Sequence, residues 1–319
     1  MRIAAEREFL SCDWGTSHFR LKWVDHGKVI ADFCDENGCK KLSQVAVTSA
    51  KSRAEAFQYH LQAALNQVVN SQTVGPLPLL ISGMASSTIG WMELPYATAP
   101  IQLDGSNLRT QLVSWNHPSF VADTYLISGV ATECEIMRGE ETEAIGLLSS
   151  VPNLPNELIL ILPGTHSKHL HLSKGLLRTF RTYMTGELYA VLSQHSVLAA
   201  SVDLNATLDP HGFLRGLRTV KEQGFAASLF HTRTRQVLQH RSPGENSSFL
   251  SGLLIGAELE NLIRSKPPDV FLGGAPRLRN LYEKALSHLN VPVSRIFSDT
   301  ECANAVPRGH EIILSHLPR

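Results

Sequence analysis

The sequence predicts a duplicated α/β fold of two lobes, each a mixed sheet flanked by helices, and three observations predict it. The first is the stretch Phe9 to Phe33, FLSCDWGTSHFRLKWVDHGKVIADF. An apolar run reaches Asp13, a tight Gly15-Thr16-Ser17 turn follows, and Phe19, Leu21 and Trp23 then alternate with polar residues before Asp25-His26-Gly27 turns the chain back. That pattern reads as three antiparallel strands joined by two hairpins. The second observation is its return nearly half a chain later as LILILPGTHSKHLHLSKGLLRTF, with Gly164-Thr165 answering Gly15-Thr16 and Lys174-Gly175 closing the next hairpin. The third is a strand, Asp269 to Leu272, that ends in the pair Gly273-Gly274 ahead of a helix.

Each turn has a chemistry of its own. Small residues let backbone N–H groups approach an anion closely, and the hydroxyls of Thr16 and Ser17 can donate to it. Asp13 stands beside the turn, where a carboxylate can hold a divalent cation. Paired glycines at a strand-to-helix turn let a flat ring lie against backbone. Two phosphate turns and a glycine pair, in that order, are the parts of a chain that grips a nucleotide between two lobes.

Composition narrows the classes. At 319 residues and 43% hydrophobic, the chain is long enough for two domains with a core in each. Counts of 29 basic and 29 acidic residues leave no net field for nucleic acid or an anionic membrane surface. The longest apolar stretches, such as Leu158 to Leu162, are strand-length rather than the roughly 20 residues of a membrane span, so a cytoplasmic protein is expected. Five scattered cysteines without a CxxC read as reduced thiols. His166, His169 and His171 alternate along a strand and so face opposite ways, with no further ligand at zinc spacing.

Between the motifs the elements follow in order. Ser52 can cap a helix with Phe57, Leu61, Leu65 and Val68 on one face. Leu79 to Ile81 is a short buried strand that runs into the Gly/Ser-rich loop holding Ser86 and Trp91, where Trp91 suits either a polyol site or the core. Tyr125 to Val130 is a further strand. Arg138-Gly139-Glu140-Glu141-Thr142 leads into a helix through Leu148, and acidic residues in a first turn are favourable with the helix dipole. In the second half Thr185 can cap a helix, another covers Phe213 to Leu229, Ser247-Ser248 cap a third, and Leu278 to Leu286 lie on a fourth.

Met137 to Thr142, Pro163 to Lys168, Phe180-Arg181-Thr182 with Met184 to Leu188, Phe249 to Glu258, and Gly90-Trp91 with Pro95-Tyr96 together resemble the 2-dehydro-3-deoxygalactonokinase family of the actin and sugar-kinase (ribonuclease H-like) superfamily. The resemblance runs from about Cys12 to Thr300, with His169 standing where the family leads one to expect Trp. It implies ATP-dependent phosphorylation of the C6 hydroxyl of 2-dehydro-3-deoxy-D-galactonate, in galactonate catabolism, with Mg²⁺. The expected lobes are residues 1–144, with the first phosphate turn and the substrate side, and 145–319, with the second turn and the adenosine site.

Phosphoryl transfer rests on positioning and charge stabilisation, so the expected parts are few. Asp13 is assigned to the metal; Gly15, Thr16, Ser17, Arg20, Gly164, Thr165, His166 and Lys168 to the phosphates; and Gly273 and Gly274 to adenosine. Ser86, Trp91, Arg138, Arg181 and Glu187 are expected on the substrate side, with Arg138 or Arg181 clamping the carboxylate. Glu141 is the expected base ahead of Glu140, by its resemblance to the carboxylate that precedes Thr at a helix start in sugar kinases. A kinase for another 2-keto-3-deoxy sugar acid, a phosphate hydrolase of the same superfamily and an actin-like or chaperone-like ATP switch are the rivals. A homo-oligomer is compatible with all of them.

Overall fold

A computed structural model describes residues 8–69, 75–265 and 269–317. Strands β1 (Glu8–Trp14), β2 (Phe19–Asp25) and β3 (Lys28–Asp35) form the expected antiparallel meander, with Asp13 paired to Arg20 and Leu21 to Phe33. Helix α1 (Cys39–Thr48), which the sequence reading missed, precedes α2 (Arg53–Val68). Ser52 caps α2 as expected, in a reciprocal box with Glu55, and Phe57, Leu61, Leu65 and Val68 are buried. Next come β4 (Leu77–Gly83), β5 (Ala97–Thr98), β6 (Ile101–Gln102), β7 (Thr110–Leu112), β8 (Val121–Ile127), β9 (Val130–Ala131), β10 (Ile136–Met137) and α3 (Glu140–Leu148). The strand expected at Tyr125 to Val130 therefore starts earlier and ends at Ile127. The sheet order is β3-β2-β1-β4-β8-β7, with β1, β4 and β8 mutually parallel.

The second sheet repeats that scheme. Strands β11 (Glu157–Leu162), β12 (Ser167–Ser173) and β13 (Leu176–Tyr183) are followed by α4 (Thr185–His195), α5 (Pro210–Gln223), α6 (Phe225–Leu229), α7 (His231–Gln239), α8 (Pro243–Ser265), β14 (Val270–Leu272), α9 (Pro276–His288) and β15 (Arg295–Ile296). The order β13-β12-β11-β14-β15, with β11, β14 and β15 parallel, matches β3-β2-β1-β4-β8 strand for strand. The duplication expected from the two turns is thus present as a duplicated sheet of mixed direction.

Helices differ in detail. The helix expected over Phe213 to Leu229 breaks at Gly224, whose φ of 79° ends α5 and starts α6. Ser247 and Ser248 are not caps; α8 starts at Pro243 behind a reciprocal pair of bonds between Ser242 and Glu245, while the hydroxyls of Ser247 and Ser248 accept from the backbone of Asp203 and Asp209. Thr185 is the first residue of α4 rather than its cap, and its hydroxyl donates to Glu258. After β15 the chain ends with α10 (Asp299–Ala303) and α11 (Ala305–Leu314).

Contacts divide the described residues into two units. The first is Met1–Asn156, Ser173–Thr179 and Thr300–Arg319, and the second is Glu157–Leu172 and Phe180–Asp299. The division falls at 156/157, whereas 144/145 lies inside α3, and the C-terminal segment returns to the first unit. There α11 packs on α3 through glycine: a Cβ on Gly146 would overlap the carbonyl of Ala305, and one on Gly309 that of Thr142. In the second unit α5 and α8 meet the same way, Gly216 against the carbonyl of Phe249 and Gly252 against that of Phe213. Among the described residues no helix is long and apolar enough to cross a membrane.

Backbone cannot retreat as a side chain does, so overpacking here is expensive. Gly146→Ala is expected to lower unfolding free energy by about 1–3 kcal/mol in urea titration. An unchanged midpoint would mean that α3 and α11 are not in backbone contact in solution.

Candidate active site

The first turn is fixed from both sides. Gly15 N–H donates to the His18 carbonyl at 2.9 Å, and the carbonyls of Gly15 and Thr16 accept from Cys39 and Lys40 at the start of α1. The turn's carbonyls are thereby occupied, and Thr16 and Ser17 stay exposed. Asp13 Oδ2 accepts from Arg20 Nη1 at 2.8 Å, so these two predicted residues sit side by side across the β1–β2 pair.

The acidic start of α3 is brought to this strand end by glycine. Gly83, at the end of β4, has φ 89° and its missing Cβ leaves room for the carbonyl of Trp14; Gly139, φ 111°, abuts Gly83 in turn. Three carboxylates follow on the first turns of α3. Glu141 is fully buried, and both its oxygens accept from Gly139 N–H, at 2.9 and 2.8 Å. Burial, then the neighbouring Glu140, push its pKa up to about 8. The residue singled out as the base is therefore turned inwards, because a carboxylate at the second helical position can satisfy the orphan donor ahead of its own helix. Glu140 is half-buried and accepts from Arg138 N–H at 3.0 Å. Glu143, which sequence reasoning passed over, lies within electrostatic reach of Asp13, Glu140 and Arg20; burial and then Asp13 push its pKa up to about 8. Its signal was the i, i+3 spacing from Glu140, which puts both on one helix face.

Behind these groups runs a buried polar chain. Ser11 Oγ bonds His310 Nδ1 at 2.8 Å, His310 Nε2 bonds Ser82 Oγ at 2.7 Å, and Ser82 Oγ bonds Thr142 Oγ1 at 2.8 Å. Thr142 in turn donates to Glu141 at 3.3 Å. Burial lowers the His310 pKa to about 3, so the ring is neutral and serves as donor at one nitrogen and acceptor at the other.

On the expected substrate side, Arg138 Nη1 donates to Ser86 Oγ at 2.6 Å and Nη2 to the Leu94 carbonyl at 3.3 Å, while the guanidinium lies 4.1 Å from the Tyr96 ring centroid. Its Nε is buried and meets no acceptor among the described residues. Ser86 is fully buried and bonds the Ile127 carbonyl. Trp91 is a core residue, edge-on to Trp115 at 5.7 Å, so it is not free to line a polyol site. Arg181 is exposed on β13, in the other unit.

In the second unit the turn Gly164-Thr165-His166 is braced from its own strand and from α4. Lys168, 3% exposed, donates to the His166 carbonyl at 2.9 Å, so it supports the turn from behind instead of reaching out of it. Glu187 N–H donates to the Thr165 carbonyl at 3.1 Å, and its side chain bonds His166 Nε2 at 2.6 Å. Glu187 thus stands against the Gly164-Thr165-His166 turn of its own unit. Gly186 packs so closely on Gly164 and Thr165 that a Cβ there would sit 2.7 Å from the Gly164 carbonyl. A cavity of about 1040 Å³ opens beside the turn, lined by Gly164, Gly186 and Tyr189, by Ser251 of α8, and by Asn280 and Leu281 of α9. Gly273 and Gly274 are not among its lining residues; Gly274, φ 87°, packs against Pro163, and α9 begins two residues later. His169 is buried and bonds Glu258, a second residue that the sequence reading did not assign. Among the described residues no group of three or more His, Cys, Asp or Glu is arranged to hold a metal ion by itself.

A model of the family described as 2-keto-3-deoxy-galactonokinase matches residues 13–307. The 2-dehydro-3-deoxygalactonokinase of Escherichia coli (strain K12) is 29% identical over 302 residues, 92% of this chain and 94% of that protein. A Rhizobium meliloti (strain 1021) protein provisionally given the same activity is 28% identical over 303 residues, 91% of this chain and 92% of that one. The crystal structure of a Sinorhizobium meliloti protein, provisionally described as a 2-dehydro-3-deoxygalactonokinase, is similar with a TM-score of 0.78 at 27% identity, covering 94% of this chain and 96% of that one.

The shifted groups set a pH dependence. Glu141 and Glu143 have folded pKa values near 8, above the ordinary 4.5, so the stability they contribute is complete below about pH 4.5 and is lost as pH rises through about 8. His310 acts oppositely: its folded value near 3 lies below the ordinary 6.5, so its contribution is present above pH 6.5 and is lost as pH falls towards 3. Coupled carboxylates titrate as a set. Glu143→Gln is therefore expected to shrink the fall in melting temperature between pH 5 and pH 8. Wild-type and variant curves that run parallel would count against a raised Glu143.

Proposed function

This chain belongs to the 2-keto-3-deoxy-galactonokinase family, and we propose that it transfers the γ-phosphoryl group of ATP to the C6 hydroxyl of 2-dehydro-3-deoxy-D-galactonate. The observation that carries the sugar-acid reading is Arg138. A guanidinium held by a hydroxyl, a carbonyl and an aromatic face, with its Nε still lacking an acceptor, is suited to a ligand carboxylate. The exposed Arg181 has no such setting.

The nucleotide half of the proposal rests on the second unit. Its turn Gly164-Thr165-His166 offers donors to phosphate oxygens, and the adjoining cavity between α4, α8 and α9 is large enough for a nucleoside. Adenosine is thereby assigned to that cavity rather than to Gly273-Gly274 themselves. In the first unit Thr16 and Ser17 supply hydroxyls to phosphate and Arg20 a positive charge. Asp13, with Glu143 near it, fits Mg²⁺, which takes one or two carboxylates and completes its shell with water and phosphate oxygens. When bound, the ion would neutralise charge on the transferring phosphoryl group. An ATP-consuming catabolic step of this kind belongs in the cytoplasm.

The base is assigned to the first turns of α3. Glu140 and Glu143 share the face towards Asp13, and a carboxylate whose pKa lies near neutrality is matched to general-base work. Glu141, enclosed and hydrogen-bonded to Gly139, is assigned to holding the helix start.

ADP release over a panel of 2-keto-3-deoxy sugar acids, with a no-acceptor control, tests the activity. Arg138→Met is expected to raise KM for the sugar acid by about 10–100-fold with KM for ATP little changed, since a charge-assisted bond is worth about 1.5–3 kcal/mol. Equal loss for both substrates would remove Arg138 from the substrate site. Among the carboxylates, Glu140→Gln or Glu143→Gln is expected to lower kcat by about 10²–10⁴-fold and Glu141→Gln by only a few-fold. Loss confined to Glu141→Gln would return the base to that residue and require it to turn outwards on substrate binding.

A further inference from the structure

Glu258 is a carboxylate deep in the second unit, 3% exposed, and each of its oxygens is claimed twice. Oε1 accepts from Ser167 Oγ at 2.7 Å and from His169 Nε2 at 2.9 Å. Oε2 accepts from Tyr282 Oη at 2.6 Å and from Thr185 Oγ1. Burial by itself lifts its pKa, and the bonds from His169, Thr185 and Tyr282 more than reverse that, so the group stays ionised.

The four donors sit on β12, α4 and α9, and of these α4 and α9 line the cavity. Ser167 directly follows the phosphate turn, and His169 lies on the same strand, β12. Thr185 starts α4 and precedes Gly186, which touches Gly164 and Thr165. Tyr282 sits on α9, whose residues line the far wall. Glu258 reaches all of them from α8. We propose that Glu258 is the positioning residue of the nucleotide half of the site: one buried carboxylate ties the second phosphate turn, the start of α4 and helix α9 into the arrangement that receives ATP. The inference rests on the reading of this cavity as the nucleotide site. It goes beyond that reading in naming what holds the site in shape.

Glu258→Gln replaces two of the four acceptor positions with donors, and so should loosen the turn against α4 and α9. The expected result is a rise of about tenfold or more in KM for ATP, with kcat and KM for the sugar acid within about threefold of wild type. Ser167 and His169 do not line the cavity, and both bond Glu258. His169→Leu should raise KM for ATP several-fold, and His169→Gln, which keeps an N–H, should restore most of it. Should Glu258→Gln fail to fold, Ser167→Ala and the two His169 variants carry the test.

Ala190→Phe, which fills the cavity directly, separates the two readings. If it leaves KM for ATP unchanged, the nucleotide lies elsewhere and the proposal falls with the cavity. If it raises KM for ATP while folded Glu258→Gln, Ser167→Ala and His169→Leu do not, the cavity stands and Glu258 is no more than a buried ion. A fall in melting temperature with both substrate KM values shifted alike would likewise overturn the positioning role.

Discussion

Asp13 and the acidic start of α3 share one end of the first sheet because two stretches of backbone can touch there. Gly83 ends β4 beside the carbonyl of Trp14, and Gly139 begins the approach to α3 against Gly83, each with a positive φ that other residues adopt only under strain. A Cβ at Gly83 would sit 2.7 Å from the Trp14 carbonyl, and one at Gly139 would crowd Gly83 Cα at 3.3 Å. This contact brings Glu143 on the helix within electrostatic reach of the Asp13–Arg20 pair on the strands. α11, packed on α3 again through glycine, also bonds β1 and β4 through His310, and so ties the helix to the strands.

Each unit also buries a polar network behind its glycine turn, and the two networks solve the same problem with opposite chemistry. In the first unit a neutral imidazole joins Ser11 to Ser82, and Ser82 bonds Thr142, so β1, β4 and α3 are linked through neutral groups that end on the buried Glu141. In the second unit an ionised carboxylate gathers four donors. A buried anion is tolerated only when its lone pairs are fully used, and Glu258 has two donors on each oxygen. The neutral network is sensitive to acid, and the anionic one is sensitive to the loss of any single donor.

The duplicated sheet was legible because strand alternation and turn residues are local, and the same local pattern occurs twice. The capping box at Ser52 and Glu55 was legible for the same reason. A second box, Ser242 with Glu245, carries the identical S-x-x-E signal, whereas the hydroxyls of Ser247 and Ser248 serve the loop preceding α5. What could not be read was direction. Trp91 near a polar loop, Lys168 after a phosphate turn and Glu141 at a helix start are all suggestive residue types, yet each side chain points inwards. Glu258 and His310 were invisible as partners because their bonds span 24–91 and 228–299 residues of chain respectively.

The return of the C-terminus to the first unit bears on how the protein is made. Ser11 and Ser82 belong to strands synthesised early, whereas the imidazole that joins them is supplied by α11, near the end of the chain. Until that helix leaves the ribosome, the first unit has two buried hydroxyls without their common partner and an α3 with one face bare. The first unit is therefore completed after the second, whose segments Glu157–Leu172 and Phe180–Asp299 hold the carboxylate network between them. Vectorial synthesis and fold topology run in opposite orders here: the strands made first are joined by a side chain made among the last.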